Sequence, residues 1–95
     1  MATMTERTAT IASRVGLHAR PAAIFADAVG ELDIDVTIAR VGEPADEALD
    51  AASILSLMSL GASHGDVVVL RAEGTGSLDA LDTLVKILER DHDAE

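Results

Sequence analysis

Apolar and polar residues alternate with a period of two along residues 32–38, where Leu, Ile and Val are separated by Asp and Thr. This period is typical of a β-strand with one buried face. Residues 8–12 and 47–50 predict two further strands from weaker signals, and the apolar run at residues 67–70 predicts a buried one. The chain is therefore expected to contain four strands.

Apolar positions three and four residues apart predict three helices, over residues 19–29, 54–60 and 78–88. Pro21 suits the first turn of the first helix, where a missing N–H leaves nothing unpaired. Ser53 and Ser77 are predicted to cap the second and third helices. The third helix is expected to bury Leu78, Leu81, Leu84, Val85 and Leu88. The order β-α-β-β-α-β-α predicts an α+β fold, with one antiparallel sheet and helices on one face.

Length and composition narrow the classes of protein. The 95 residues are expected to form a single domain over residues 1–95, and they include no cysteine for a disulfide or a thiol nucleophile. Phe25 is the only aromatic residue, which argues against stacking of single-stranded nucleic acid. No segment reaches the roughly 20 apolar residues of a membrane span, and residues 1–8 lack the apolar run of a signal peptide. We therefore expect a cytoplasmic protein.

The charge is strongly negative on average but unevenly distributed. A net charge of −10 argues against nucleic acid and anionic lipid as partners. Residues 11–26 nevertheless contain no acid and include Arg14 and Arg20, and residues 51–65 contain no Asp, Glu, Lys or Arg. A locally positive segment and a neutral one, in an anionic chain, are the candidates for function.

His18 lies between a predicted strand and the first predicted helix. The first N–H groups of a helix attract anions, and because Pro21 has none, the donors here are those of Ala19, Arg20 and Ala22. Arg20 adds a permanent cation suited to phosphate oxygens. A neutral imidazole at such a site could accept a phosphoryl group or act as a general base beside a bound anion. A small anion-binding or interaction domain, and a solvated histidine without a role, are the alternatives.

Two motifs lie in the locally positive and the neutral segments: Gly16-Leu17-His18-Ala19-Arg20-Pro21-Ala22, and Ser-Ile-Leu-Ser-Leu-Met-Ser-Leu-Gly at residues 53–61. The first resembles the active-site signature of HPr, the histidine-containing phosphocarrier protein of the bacterial phosphoenolpyruvate:sugar phosphotransferase system. The second resembles the regulatory-serine helix of that family and the glycine after it. The resemblance spans essentially the whole chain. It implies an open-faced β-sandwich, with a four-stranded antiparallel sheet of order 1-4-2-3 covered on one face by three helices.

The resemblance also implies residue roles and partners. His18 would be phosphorylated on Nδ1 by enzyme I, Arg20 would balance the phosphate charge during transfer, and enzyme IIA domains of sugar permeases would be the acceptors. The resemblance thus implies a monomeric phosphocarrier without a cofactor and without small-molecule turnover of its own. No metal is expected either, because the histidines at 18, 64 and 92 lack metal-ligand spacing.

Two other functions stay open. A carrier in a regulatory branch, such as nitrogen control or dihydroxyacetone phosphorylation, would use the same chemistry with different acceptors. A binding-only module would dock on a transcriptional regulator through residues 54–60 and would not need His18.

The second predicted helix is apolar on almost every side. Leu57 and Leu60 can face the core, which leaves a second stripe formed by Ile54, Leu55 and Met58. On so short a helix this stripe must be partly exposed, and a fully buried helix is the alternative. An exposed apolar stripe marks a protein interface, and methionine adapts to more than one partner. The stripe is therefore the predicted docking surface.

Ser53, the predicted cap of the second helix, also matches the serine that a dedicated kinase phosphorylates in some members of the family. A phosphate there would add charge beside the apolar stripe. Ala52 stands where a basic residue is common in the family, which is a departure from that pattern. Ser53 is thus a candidate for both helix capping and regulation.

Overall fold

The computed structural model describes residues 4–12, 14, 16–17, 19–32, 34–74 and 76–90. The chain order of its elements confirms the predicted α+β class. They are β1 (Met4–Thr10), α1 (Ala19–Gly30), β2 (Val36–Arg40), a short 3-10 helix (Ala45–Glu47), β3 (Leu49–Asp50), α2 (Ile54–Leu60), β4 (Val67–Glu73) and α3 (Ser77–Leu88). Within those ranges, no helix combines the length and apolar character needed to cross a membrane.

The four strands form one antiparallel sheet in the order β1-β4-β2-β3, which confirms the order implied by the family resemblance. β4 lies inside the sheet, where it pairs with β1 on one side and β2 on the other; Leu70, for example, lies opposite Arg7 and Ile38. Three consecutive residues of β4, Val68 to Leu70, are buried. Val68 and Leu70 belong to the core cluster, whereas Val69, on the opposite face of the strand, is buried outside that cluster.

The three helices pack on one face of the sheet, and the core lies between the two layers. Alternate residues of the strands point toward the helices, because successive side chains of a strand face opposite ways. α1 contributes Phe25, α2 contributes Leu57 and α3 contributes Leu81 and Leu84 to the fully or almost fully buried set. Leu17, just before α1, belongs to the same cluster.

The strand limits differ from those predicted. β1 begins at Met4, four residues before the predicted start, and β2 begins at Val36 although the alternation starts at Leu32. Val36 already pairs with Ala72, close to the end of β4 at Glu73, so the residues before Asp35 have no strand to bond with. The apolar side chains there are still used, because Leu32 and Ile34 pack partly against the core.

The start of α3 corrects another prediction. Gly76, with φ of 84°, is the N-cap residue, and a glycine has no side chain with which to cap the helix. Ser77 is the first helical residue, and its buried hydroxyl donates to the carbonyl oxygen of Gly74 at 2.7 Å. The prediction that Ser77 caps α3 is therefore wrong, because its hydroxyl bonds back to Gly74 in the preceding turn. Ser77 takes the inward position at the helix start, and the next residue, Leu78, is 48% exposed instead of buried.

Candidate functional site

The backbone just before α1 lies against the turn that follows α2. The N–H of Leu17 donates to the carbonyl oxygen of Ala62 at 2.9 Å. Gly16 has φ of 78°, and a Cβ added to it would lie 2.6 Å from that same oxygen. The acid-free segment, residues 11–26, and the neutral segment, residues 51–65, are separate in the sequence, and the structure brings them into direct contact here.

Substitution of Gly16 tests this contact. Gly16→Ala is expected to lower the free energy of unfolding by about 3 kcal/mol, because a left-handed residue with a Cβ is strained and the Ala62 carbonyl must move. Gly42→Ala is the matched control, since Gly42 has φ of 95° and no atom within 4 Å of an added Cβ. The control is expected to cost about 1 kcal/mol from backbone strain alone. Denaturant unfolding measures both, and equal losses would contradict the close contact.

α1 begins immediately after His18, which itself lies outside the described residues. Ala19 and Arg20 are exposed, whereas Ala22 is buried. Outside the bonds of the helix itself, the described part of the chain offers the amides of these three residues no hydrogen-bond partner. The guanidinium of Arg20 likewise makes no hydrogen bond or ion pair with any described residue.

Electrostatics at this helix start favour an anion. The first turn of α1 contains no acidic residue, and the N–H groups of Ala19 and Arg20, for which the described residues offer no acceptor, carry the positive end of the helix dipole. Arg20 adds a full positive charge at the surface. Two exposed residues, Ala19 and Arg20, thus present amide donors and a cation beside His18 in the sequence. This combination can bind a phosphate group.

α2 has the two faces that the sequence predicted. Leu57 is completely buried, whereas Ile54, Leu55 and Met58 are exposed, Leu55 at 78%. The alternative of a fully buried helix is therefore wrong. We call these three exposed residues the α2 stripe. α2 packs against α1 and leads through Gly61 into Ala62, so the stripe belongs to the same part of the molecule as the start of α1.

The predicted capping of α2 by Ser53 is confirmed. The Ser53 side chain accepts a hydrogen bond from the N–H of Ser56 at 3.2 Å, with Ser53 in an extended conformation. Gly61 ends the helix with φ of 66°, a left-handed conformation that glycine adopts without steric cost. The hydroxyl of Ser53 is therefore next to the exposed Ile54 and Leu55 but engaged in the helix start.

Sequence reasoning missed Arg40, the last residue of β2. Its guanidinium donates to the carbonyl oxygens of Leu60 and Gly61 at 2.7–3.2 Å and pairs with the carboxylate of Asp66 at 3.1 Å. The available signal was weak: α2 has no basic residue in its last turn, so its carbonyl groups have no local cation. Nothing in the sequence showed that Arg40 would supply it.

The described residues contain no group of three or more His, Asp or Glu side chains arranged to hold a metal ion. His64 is exposed on the turn after α2. His18 and His92 lie outside the described residues, so the structure adds nothing to the predictions about them.

Comparison with solved structures defines the class of protein. The structure is similar to a phosphocarrier protein HPr from Bacillus anthracis, with a TM-score of 0.80 and 28% identity over 90% of this chain and 98% of the other. It is also similar to Crh, described as the catabolite repression HPr of Bacillus subtilis, with a TM-score of 0.65 and 31% identity over 92% of this chain and 99% of that one. The fold is therefore that of the HPr-like open-faced sandwiches.

Sequence comparison then identifies the family. The family model described as the PTS HPr component phosphorylation site matches residues 5–90. The phosphocarrier protein HPr of Haloferax volcanii is 43% identical over 83 residues, which cover 87% of this chain and 91% of that protein. The chain belongs to the HPr phosphocarrier family of the phosphotransferase system.

Proposed function

We propose that the chain accepts a phosphoryl group on Nδ1 of His18 from phospho-enzyme I and donates it to enzyme IIA domains in the cytoplasm. One observation carries the proposal: in the chain, His18 stands between Leu17, whose N–H bonds to Ala62, and a helix that starts with the exposed residues Ala19 and Arg20. The residues on either side of His18 are thus held by a hydrogen bond and by a helix. The donors beside it are suited to a group that arrives with negative charge.

The proposed transfer needs little from the protein beyond positioning and charge. The lone pair on Nδ1 attacks phosphorus, a P–N bond forms, and the bond to the donor's leaving atom breaks with its electrons staying on the donor. The charge on the moving group is spread over its three outer oxygens. Arg20 and the surface amides of Ala19 and Arg20 would stabilise those oxygens, and the buried amide of Ala22 would serve only an oxygen that reaches into the helix end. The reverse steps deliver the group to an acceptor.

The α2 stripe is the proposed docking surface for both donor and acceptor. Its exposure, and the packing of α2 on α1, support this assignment. One phosphate site cannot face two partners at once, so a single surface that both partners use in turn is sufficient. The flexible side chain of Met58 can adapt to two different partner surfaces, and Leu55 supplies the largest exposed fraction.

A phosphotransfer assay tests the proposal. The wild-type protein is incubated with phosphoenolpyruvate and a cognate enzyme I, and the label is located by peptide mapping. We expect one acid-labile, base-stable phosphate on the peptide that contains His18, and its loss when an enzyme IIA domain is added. An absence of label, or a label stable to acid, would overturn the assignment.

A second candidate function is favoured by the similarity to Crh, described as a catabolite repression HPr. In that case the chain would act as a regulatory module, and the α2 stripe would bind a transcriptional regulator. A carrier for a regulatory branch, such as nitrogen control or dihydroxyacetone phosphorylation, is the variant that keeps the chemistry. The acceptor that removes phosphate from His18 separates the two carriers, and regulator binding that survives replacement of His18 identifies the module.

Ser53 is the proposed regulatory phosphorylation site. Ser53→Asp is expected to lower kcat/KM for transfer from enzyme I about tenfold, because a charge beside the α2 stripe opposes docking of an apolar surface. It should leave stability unchanged, since aspartate caps helices as well as serine does. Ser53→Ala is expected to do the opposite: it loses about 1 kcal/mol of stability with the cap and keeps the transfer rate.

Thr83→Asp is the charge control for Ser53→Asp. Thr83 is exposed on α3, so this variant adds the same charge away from the α2 stripe. Transfer kinetics and thermal unfolding are measured for all three variants. An equal loss of transfer in Thr83→Asp would show that net charge, and not its position at Ser53, is responsible.

A further inference from the structure

We propose that Arg40 is a positioning residue for the phosphate-carrying segment, an inference that rests on the proposed function. Its guanidinium bonds to the last residue of α2 and to the turn that follows it. The proposal is that Arg40 holds the C-terminal end of α2 and that turn together, so that the α2 stripe and the backbone before His18 keep one mutual arrangement.

The first step concerns the carbonyl groups at the end of α2. The last carbonyls of a helix lack partners within it and carry the negative end of its dipole. Arg40 supplies the missing donors: Nε and Nη2 donate to the Leu60 oxygen at 3.2 and 3.1 Å, and Nη2 donates to the Gly61 oxygen at 2.7 Å. The planar fork of the guanidinium allows these bonds to form together, which a single ammonium could not reproduce.

The second step extends from Arg40 to the turn. Nη1 of Arg40 donates to Oδ2 of Asp66 at 3.1 Å, and the same oxygen accepts from the N–H of Ser63 at 2.8 Å. The N–H of Asp66 donates to the Ser63 carbonyl at 2.9 Å, which closes the turn. Arg40 therefore contacts both ends of the segment that runs from Leu60 to Asp66.

The third step reaches the phosphate-carrying segment. Between those two ends lies Ala62, whose carbonyl oxygen accepts from Leu17 at 2.9 Å and is approached closely by Gly16. Any displacement of this carbonyl moves the residue that precedes His18 in the chain. The end of α2 is thus the shared support of two parts of the site, and Arg40 is the side chain that fastens it to the sheet.

The carbonyl bonds matter more here than the ion pair. The Arg40 and Asp66 side chains are 41% and 37% exposed, and a pair this accessible to water contributes little by itself. Asp66→Asn keeps an oxygen for Ser63 and for Arg40, so it is expected to change little. Arg40→Met removes the three guanidinium hydrogen bonds to the carbonyl oxygens of Leu60 and Gly61 and is the decisive variant.

The experiment compares Arg40→Met with Arg7→Met in the full chain. Arg7 is the matched control, because its side chain is also 41% exposed and its ion pair with Asp82 also measures 3.1 Å, but it joins β1 to α3. Hydrogen exchange at the Leu17 amide is expected to become about tenfold faster in Arg40→Met and to stay unchanged in Arg7→Met. With enzyme I as donor, kcat for Arg40→Met is expected to fall about tenfold while KM stays within about twofold.

Arg40→Lys separates positioning from stability. It keeps the charge and one or two donors, so partial recovery of both exchange protection and kcat supports the proposal. It also carries the test if Arg40→Met does not fold. Wild-type-like exchange and kcat in Arg40→Met, or equal losses in Arg7→Met, overturn the role of Arg40 while leaving the phosphocarrier function intact. A wild-type protein that takes no phosphate overturns the proposed function, and this inference with it.

Discussion

Replacing His18 with alanine is expected to reduce phosphorylation of this protein by enzyme I and phosphoenolpyruvate more than about a thousandfold. Alanine has no lone pair to attack phosphorus, and no neighbouring group can take its place as nucleophile without a different geometry. The exposed Arg20 and the amides at the start of α1 remain in the variant. They can still attract an anion, but they cannot form the P–N bond. The measurement is transfer of label from phosphoenolpyruvate, followed by acid treatment.

His64→Ala is the matched control for this experiment. His64 is an exposed histidine on the turn that follows α2, so its imidazole is accessible to a donor. We expect labelling of this variant to equal that of the wild type. Acid-labile phosphate on the His18→Ala protein, together with its loss from the His64→Ala protein, would show that His64 and not His18 is phosphorylated.

Replacing Leu55 with aspartate is the second change with a large expected effect. A charge in the middle of the α2 stripe should lower kcat/KM for transfer about 30-fold, mainly by raising KM. A buried apolar anchor contributes about 2 kcal/mol to an interface, which corresponds to this factor. Leu55 is 78% exposed, so the change removes few internal contacts and the unfolding midpoint should hardly move. Steady-state kinetics with enzyme I as the variable partner separate KM from kcat.

Leu78→Asp provides the control for Leu55→Asp. Leu78 is an exposed leucine at the start of α3, 48% accessible, and the α2 stripe does not include it. This variant carries the same substitution and the same added charge. Transfer kinetics like those of the wild type are expected. A comparable rise in KM would mean that the acidic charge of the whole chain, and not the α2 stripe, limits docking.

Local signals predicted the helices well. Ser53 and Gly61 mark the two ends of α2, and the structure places its caps at those residues. α1 was predicted over residues 19–29 and covers Ala19–Gly30. Capping and helix spacing involve residues within about one turn of each other, so they can be recognised from neighbouring positions alone.

Strand limits could not be predicted in the same way. The alternation that begins at Leu32 describes which side chains face the core, but β2 starts at Val36, near the end of its partner β4. β1 begins at Met4, although its polar residues gave little strand signal, because a full partner in β4 lies beside it. A strand extends as far as its neighbour does, and that neighbour is distant in sequence.

The candidate site shows the same difference between features set by neighbouring residues and features set by distant ones. Its chemical groups can be recognised from neighbouring residues: a histidine before a helix start, Arg20 two residues on, no acid in the first turn, and an apolar stripe on α2. Their support cannot be recognised in this way, because it consists of the contact of Gly16 and Leu17 with Ala62 and the bonds of Arg40 to the end of α2. These hydrogen bonds join segments about 20 to 45 residues apart, and such segments meet only when the chain has folded.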